Sequence, residues 1–192
     1  MSVTGRDNNS AINPALKVYI FELPVLMGID FMIYFKETFI GKIGIEEKDG
    51  FITRVIFGNN FSNSDDCCHF DASAPPAVAE AFFQLGEYFA GTRKEFTVPL
   101  APVGTPFMQS VWSALCQIPY GKTATYKEIA EIVGSPKASR AVGMANNKNP
   151  IAIFIPCHRV IGSSGKLVGY AGGMDLKQKL LVLENESRLE KW

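Results

Sequence analysis

The sequence predicts an α+β chain, a sheet-forming part followed by a helical part, and three observations carry that prediction. Short β-branched and aromatic runs crowd the stretch from Val18 to Phe57. Apolar residues recur at helical spacing from Pro75 onward. Between the first such helix and the rest, Ala101-Pro102-Val103-Gly104 interrupts the periodicity and reads as a linker. The expected division is a loose polar tail over 1–17, a first domain over 18–103 and a second over 104–192.

Length and composition narrow the classes. A chain of 192 residues with 47 % apolar content can bury real cores. No apolar run approaches the roughly 18 residues of a membrane span. The N-terminus lacks the charged-then-apolar layout of a signal peptide. Cys67, Cys68, Cys116 and Cys157 show no disulfide-framework spacing, which points to a reducing compartment, the cytoplasm. The net charge of zero hides an asymmetry: 8 basic against 13 acidic residues through Gly104, then 11 against 6 from Thr105 on. A basic second part is consistent with nucleic acid as partner.

In chain order, Phe31 to Phe35, Phe39 to Ile45 and Phe51 to Phe57 read as strands of an antiparallel sheet, with Lys48-Asp49-Gly50 as the turn between the last two. Gly58 to Ala74 is polar and loop-like. Within it, Cys67-Cys68-His69 could contribute to a metal site, but no second ligand pair stands at a recognisable spacing, so no metal is assigned. Pro75-Pro76 opens a helix with Val78, Phe82, Leu85 and Phe89 on one face and Gly91 as its stop. Thr105-Pro106 is an N-cap followed by proline at the first helical position, leading a helix with Phe107, Val111, Ala114 and Leu115 inward. Ile118-Pro119-Tyr120-Gly121 ends it. Thr125-Tyr126-Lys127-Glu128 is a capping box for a short helix to Val133. Gly134 breaks that helix, and Ser135-Pro136 starts another through about Asn146, giving a helix-turn-helix layout. In this second helix a single arginine, Arg140, stands among the small residues Ala138, Ser139 and Ala141, with few long polar side chains for reading base edges.

The chemistry concentrates in Ile151-Ala152-Ile153-Phe154-Ile155-Pro156-Cys157-His158-Arg159-Val160. Five apolar residues read as a buried strand or extended segment, and Pro156 stops its pairing. A free thiol, with a pKa of about 8.5, is only roughly 3 % thiolate at pH 7, and an adjacent imidazole can raise the fraction that reacts. A buried core cysteine is the competing reading. After the glycine-rich loop Gly169-Tyr170-Ala171-Gly172-Gly173, Met174 to Glu186 is a helix with Leu176, Leu180 and Leu183 inward. Glu184, four residues after Leu180, borders that face and needs either a partner or access to water.

Lys148-Asn149-Pro150 through Pro156-Cys157-His158-Arg159-Val160-Ile161-Gly162 resembles the signature of the O6-alkylguanine-DNA alkyltransferases, the methylated-DNA–protein-cysteine methyltransferases. The resemblance runs from about Phe82 to Glu186 and is strongest from Gly104 onward. It implies a ribonuclease-H-like antiparallel-sheet domain followed by a helical, winged-helix-like domain that binds DNA. It also implies single-turnover transfer of an alkyl group from O6 of guanine, less readily O4 of thymine, to Cys157, without a cofactor. His158 matches the histidine that acts on the thiol through a water and Glu184 the carboxylate that orients it. Asn149 matches the residue holding the turn, and Tyr126 the hydroxyl that stabilises the leaving base. Arg140 matches the finger that fills the space of a flipped nucleotide, on a helix laid in the minor groove with Ala138, Ser139 and Ala141. Cys157, Val160, Tyr170 and Ala171, with Tyr126, match the pocket for the base. The implied partner of this monomer is double-stranded DNA carrying the lesion. Lys179 departs from the bulky aromatic many members place there. A sensor that binds alkylated DNA without repairing it is the alternative, but related sensors lack the cysteine this chain has. A Cys-His hydrolase would need an oxyanion hole that nothing in the sequence supplies.

Overall fold

The structure, a computed structural model, describes residues 32–58, 67–170 and 172–186. The expected tail 1–17, the start of the first domain over 18–31, Asp65-Asp66 and the pocket residue Ala171 lie outside the described residues. A meander comes first: β1 (Ile33–Thr38), β2 (Gly41–Lys48) and β3 (Phe51–Phe57) pair antiparallel. Asp49 and Gly50 both take positive φ, 53° and 84°, the backbone of a two-residue hairpin turn whose twist suits the flanking strands. β2 begins at Gly41 rather than at Phe39, because Phe39-Ile40 form the turn out of β1 and Gly41 has φ 99°. A fourth strand, β4 (Cys67–His69), lies in the stretch read as a loop and joins β1 in parallel, so the order is β3-β2-β1-β4.

Helix α1 (Pro76–Phe89) starts with proline at N1 and lays Val78, Ala81, Phe82, Leu85 and Tyr88 inward at three- and four-residue intervals. Its core face includes Tyr88 fully, whereas Phe89 is only half-buried. The helix stops where expected: Gly91 takes φ 72°, and the amides of Gly91 and Thr92 turn back to the carbonyls of Tyr88 and Glu87. Against this face sit Ile43, Ile45 and Ile52, alternate residues of the sheet, each fully buried. Burying a side chain of that size contributes about 1.5–3 kcal/mol, so this interface is a main source of stability for the first part.

The linker is not loose. Ile52 N–H donates to Pro99 O and Ala101 N–H to Ile52 O, both at 2.9 Å, so the chain zips along the outer edge of β3, and Val55 N–H reaches Pro150 O at 2.8 Å. Ala101 and Pro102 are buried. Beyond them, Thr105 caps α2 (Pro106–Leu115) by accepting from Met108 N–H. Trp112 is fully buried in α2, and its indole N–H donates to Ala145 O at 2.9 Å, tying α2 to a later helix. The capping box of α3 (Tyr126–Ile132) closes in both directions between Thr125 and Glu128. α4 (Ser139–Asn147) starts three residues later than Pro136 suggested, since Ala138 N–H closes a turn on Ser135 O first. Lys137 and Ala138 therefore precede the helix, and Arg140 is exposed in its first turn.

Two-residue strands β5 (Ala124–Thr125) and β6 (Val160–Ile161) pair in parallel, placing the Cys157 segment beside the start of α3. α5 (Met174–Glu186) closes the fold. One core runs from Tyr34 through Trp112 and Phe154 to Leu180, so both parts of the chain share it. Among the described residues no helix is long and apolar enough to cross a membrane.

A methyl group on Gly104 would clash with the Trp112 ring, which the indole's bond to Ala145 holds in place. Gly104→Ala is expected to destabilise the protein by about 1–3 kcal/mol, measured by urea unfolding against wild type.

Candidate active site

The apolar run Ile151 to Ile155 is not a strand. It folds into a tight turn in which Ile155 N–H donates to Ile151 O at 2.9 Å and Ile153 takes φ 76°. A β-branched residue in that region is strained, and the turn needs bracing. Asn149 supplies it: its Nδ2 donates to Ile155 O at 2.8 Å and its Oδ1 accepts from Ile151 N–H at 3.0 Å. Every residue from Ile151 to Val160 is buried, so the turn is also clamped by its surroundings. Pro156 then leads into a single 3-10 turn, Cys157–Arg159.

Cys157 is 1 % exposed. Burial pushes its thiol up to about 11, against the opposing pull of the Asn149 side chain and the Lys177 ammonium. At rest it is therefore a thiol. Beside it His158 is fully buried, with Nε2 2.8 Å from Glu184 Oε1. Its Nδ1 has no protein partner among the described residues. Burial lowers the imidazole's pKa, with Glu184 acting in the other direction. A neutral His158 thus carries its proton on Nε2, where the carboxylate accepts it, and leaves Nδ1 as the free base.

Glu184 gathers donors from three parts of the chain. Arg159 grips both oxygens, Nη2 to Oε1 at 2.9 Å and Nε to Oε2 at 3.0 Å, while donating Nη1 to Ile118 O at 2.6 Å. The Gly121 amide reaches Oε2 at 2.9 Å from a turn in which that glycine holds φ 67°. The Tyr88 hydroxyl, from α1, donates to Oε1 at 2.8 Å. Burial alone would raise this carboxyl; the hydrogen bonds from His158 and Arg159, with the guanidinium charge, outweigh it and hold Glu184 down to about 2.

Tyr126, Tyr170 and Lys177 lie within electrostatic reach of the thiol. Tyr126 is half-buried at the start of α3, and its hydroxyl donates to Val168 O at 3.1 Å. Burial, then the Cys157 sulfur, raises its pKa. Lys177 is buried, donating to Val160 O at 2.6 Å and to the same Val168 carbonyl at 3.0 Å. Tyr170 is buried with its hydroxyl unpartnered among the described residues, its ring 6.4 Å from Phe57 of β3. The structure thus brings Asn149, Cys157, His158, Val160, Glu184, Tyr126 and Tyr170 into one neighbourhood. Arg140 and Ala141 are exposed and Ala138 and Ser139 half-buried at the open end of α4, beside rather than within it. Lys179 is exposed on α5, away from Glu184.

Sequence reasoning missed Tyr88, Arg159 and Lys177. Lys177 could have been found, since it lies seven residues before Glu184 on the stripe that includes Leu180. Among the described residues no group of three or more His, Cys, Asp or Glu is arranged to hold a metal ion.

Residues 32–102 match the family model described as 6-O-methylguanine DNA methyltransferase, ribonuclease-like domain, and residues 106–186 match the DNA binding domain of the same description. The constitutive methylated-DNA–protein-cysteine methyltransferase of Bacillus subtilis is 47 % identical over 158 residues, 81 % of this chain and 96 % of that protein. A methylated-DNA–protein-cysteine methyltransferase of Methanosarcina acetivorans is 66 % identical over 105 residues, 55 % of this chain and 67 % of the relative. The crystal structure of Mycobacterium tuberculosis OGT in complex with DNA superposes with a TM-score of 0.73 at 44 % identity, covering 81 % of this chain and 94 % of that one.

Glu184→Gln removes a buried charge and leaves Arg159 without its partner, and is expected to destabilise the protein by about 3–5 kcal/mol at pH 7. The wild-type contribution is present above the ordinary carboxyl range near pH 4 and is lost as pH falls toward 2, because the folded value is depressed. Denaturant unfolding of both proteins from pH 7 to pH 2 should therefore show the gap between them closing only below about pH 4.

Proposed function

The chain belongs to the 6-O-methylguanine DNA methyltransferase family, and from that premise we propose how its own residues divide the work of repair. It reverses alkylation damage in DNA directly, by moving the alkyl group onto its own cysteine. The observation that carries the assignment to Cys157 is its placement beside His158, whose second nitrogen is held by Glu184. The free Nδ1 takes up the thiol proton, with a bridging water where the two do not touch, and Glu184 stabilises the imidazolium. Lys177 supplies a positive charge near the resulting thiolate.

The sulfur then attacks the alkyl carbon in line with its bond to O6. A carbon–sulfur bond forms, the carbon–oxygen bond breaks, and the electron pair leaves on the guanine ring, which gains a proton. Tyr126 donates to that leaving base, giving up its bond to Val168 O to do so. Asn149 holds the turn that presents the sulfur. The described residues that form the pocket are Tyr126, Cys157, Val160 and Tyr170. Since a thioether is not readily reversed, each molecule acts once.

The target atom lies inside a duplex, so the nucleotide must rotate out, with a loss of stacking of a few kcal/mol. In this reading Arg140 fills the gap, which its exposure in the first turn of α4, next to Ala138, Ser139 and Ala141, supports. Small side chains on that helix allow close approach in the minor groove. The protein acts as a monomer, with a ribonuclease-like part ending near Val103 and a DNA-binding part from Gly104, in a reducing cytoplasm that keeps the thiol free.

Incubated with duplex DNA carrying one O6-methylguanine, the protein should gain one methylene unit of mass at Cys157 while the lesion disappears. Intact lesion and unmodified protein would instead mark a sensor that binds damage without repairing it. Cys157→Ser should retain lesion binding and lose transfer. Arg140→Ala should slow transfer on duplex DNA while leaving transfer from single-stranded DNA near wild type; equal duplex rates would remove the finger role. Tyr126→Phe should lower the transfer rate by up to about 10²-fold, read in single-turnover kinetics.

A further inference from the structure

Glu184 takes its other donors, Gly121, His158 and Arg159, from the part of the chain that carries the cysteine. Tyr88 alone among them comes from the N-terminal part, in the last turn of α1. Its ring is fully buried, with Phe96 at 5.3 Å and Tyr120 at 5.9 Å between centroids. That packing needs an aromatic ring but no hydroxyl. A phenylalanine would fill the same space without a polar group to satisfy. The hydroxyl instead donates to Glu184 Oε1 at 2.8 Å, the oxygen that faces His158 Nε2, and lies 3.5 Å from that nitrogen.

We propose that Tyr88 is a positioning residue for alkyl transfer, through which the N-terminal part holds Glu184 in register with His158 and sets how strongly the carboxylate draws on the imidazole. The proposal rests on the reading of His158 as the acceptor of the Cys157 proton. Three donors share Oε1: Tyr88, His158 and Arg159. Each disperses part of its negative charge. Removing the Tyr88 hydroxyl concentrates that charge toward Nε2 and so favours the imidazolium. The other groups facing the relay are the cations Arg159 and Lys177, the phenols of Tyr120 and Tyr170, and the thiols of Cys116 and Cys157, from the end of α2, the turn after it, the Cys157 segment, the glycine-rich loop and α5. A Tyr88→Phe change leaves all of these in place.

The chain has two histidines, His69 and His158, so imidazole titration by NMR can be read residue by residue. In full-length Tyr88→Phe the His158 midpoint should rise by about half a pH unit or more, and the pH profile of methyl transfer from duplex O6-methylguanine should move with it. A ring-fluorinated tyrosine at position 88, a stronger donor of the same shape, should displace both in the opposite direction; it keeps the question answerable if the phenylalanine variant folds poorly. Tyr88→Leu should show the same displacement as Tyr88→Phe. If His158 titration and the rate profile in the phenylalanine and fluorinated proteins superimpose on wild type, and only the leucine variant is disturbed, Tyr88 serves packing alone and the inference fails. Absence of methyl transfer by the wild-type protein would instead overturn the functional reading beneath it.

Discussion

A carboxylate with no access to water is tolerable only when its lone pairs are filled, and Glu184 meets that requirement by drawing partners from α1, from the turn after α2 and from the Cys157 segment. Each partner is thereby fixed in turn. Arg159 is stretched between the carboxylate and the Ile118 carbonyl. Gly121 must keep a backbone conformation that other residues adopt poorly, so that its amide points inward. The result is a rigid base, built before any substrate arrives, on which an imidazole is mounted with one nitrogen committed and the other free. Preorganisation of this kind spares the reorganisation that a more solvated site would undergo during reaction.

The resting thiol fits a protein that reacts once. Burial holds Cys157 protonated and screened from small electrophiles, since it is the thiolate that reacts. The compensating influences, Asn149 and Lys177, are already in place but do not prevail at rest. Lys177 and Tyr126 also meet at one acceptor, the Val168 carbonyl, so the loop before Tyr170 is tied to both a cation near the sulfur and the hydroxyl assigned to the leaving base. A base entering this pocket must be accommodated by a network rather than by an isolated side chain.

Much of this was legible in the residues. The hairpin turn at Asp49-Gly50, the Pro76 and Thr105 helix starts and the Thr125 capping box are local signals with local physical causes, and the backbone follows them. What failed to show was decided at a distance. Ile151 to Ile155 has the composition of a strand, yet the amide of Asn149 and the packing around it fold the run into a turn. Cys67–His69 gains its strand from an edge of β1 that composition cannot reveal. Pro136 is a good helix opener, but the Ser135 carbonyl captures Ala138 first. In the site, Glu184 stood out because a carboxylate on an apolar stripe demands an explanation. Tyr88 and Arg159 did not, since an aromatic on a core face and a basic residue after a histidine are each unremarkable until the carboxylate they share is located.

The segment from Pro99 to Ala101 and the carbonyl of Pro150 together occupy the outer rim of β3, whose sequence Ile52-Thr53-Arg54-Val55-Ile56-Phe57 is rich in strand-forming residues. A strand left bare there would offer an unsatisfied ladder to any similar chain, the usual starting point for self-association into β-rich aggregates. By laying its own backbone along that rim, the polypeptide makes the connection between its parts into a guard, so colloidal solubility and a correctly seated active-site turn depend on the same few hydrogen bonds.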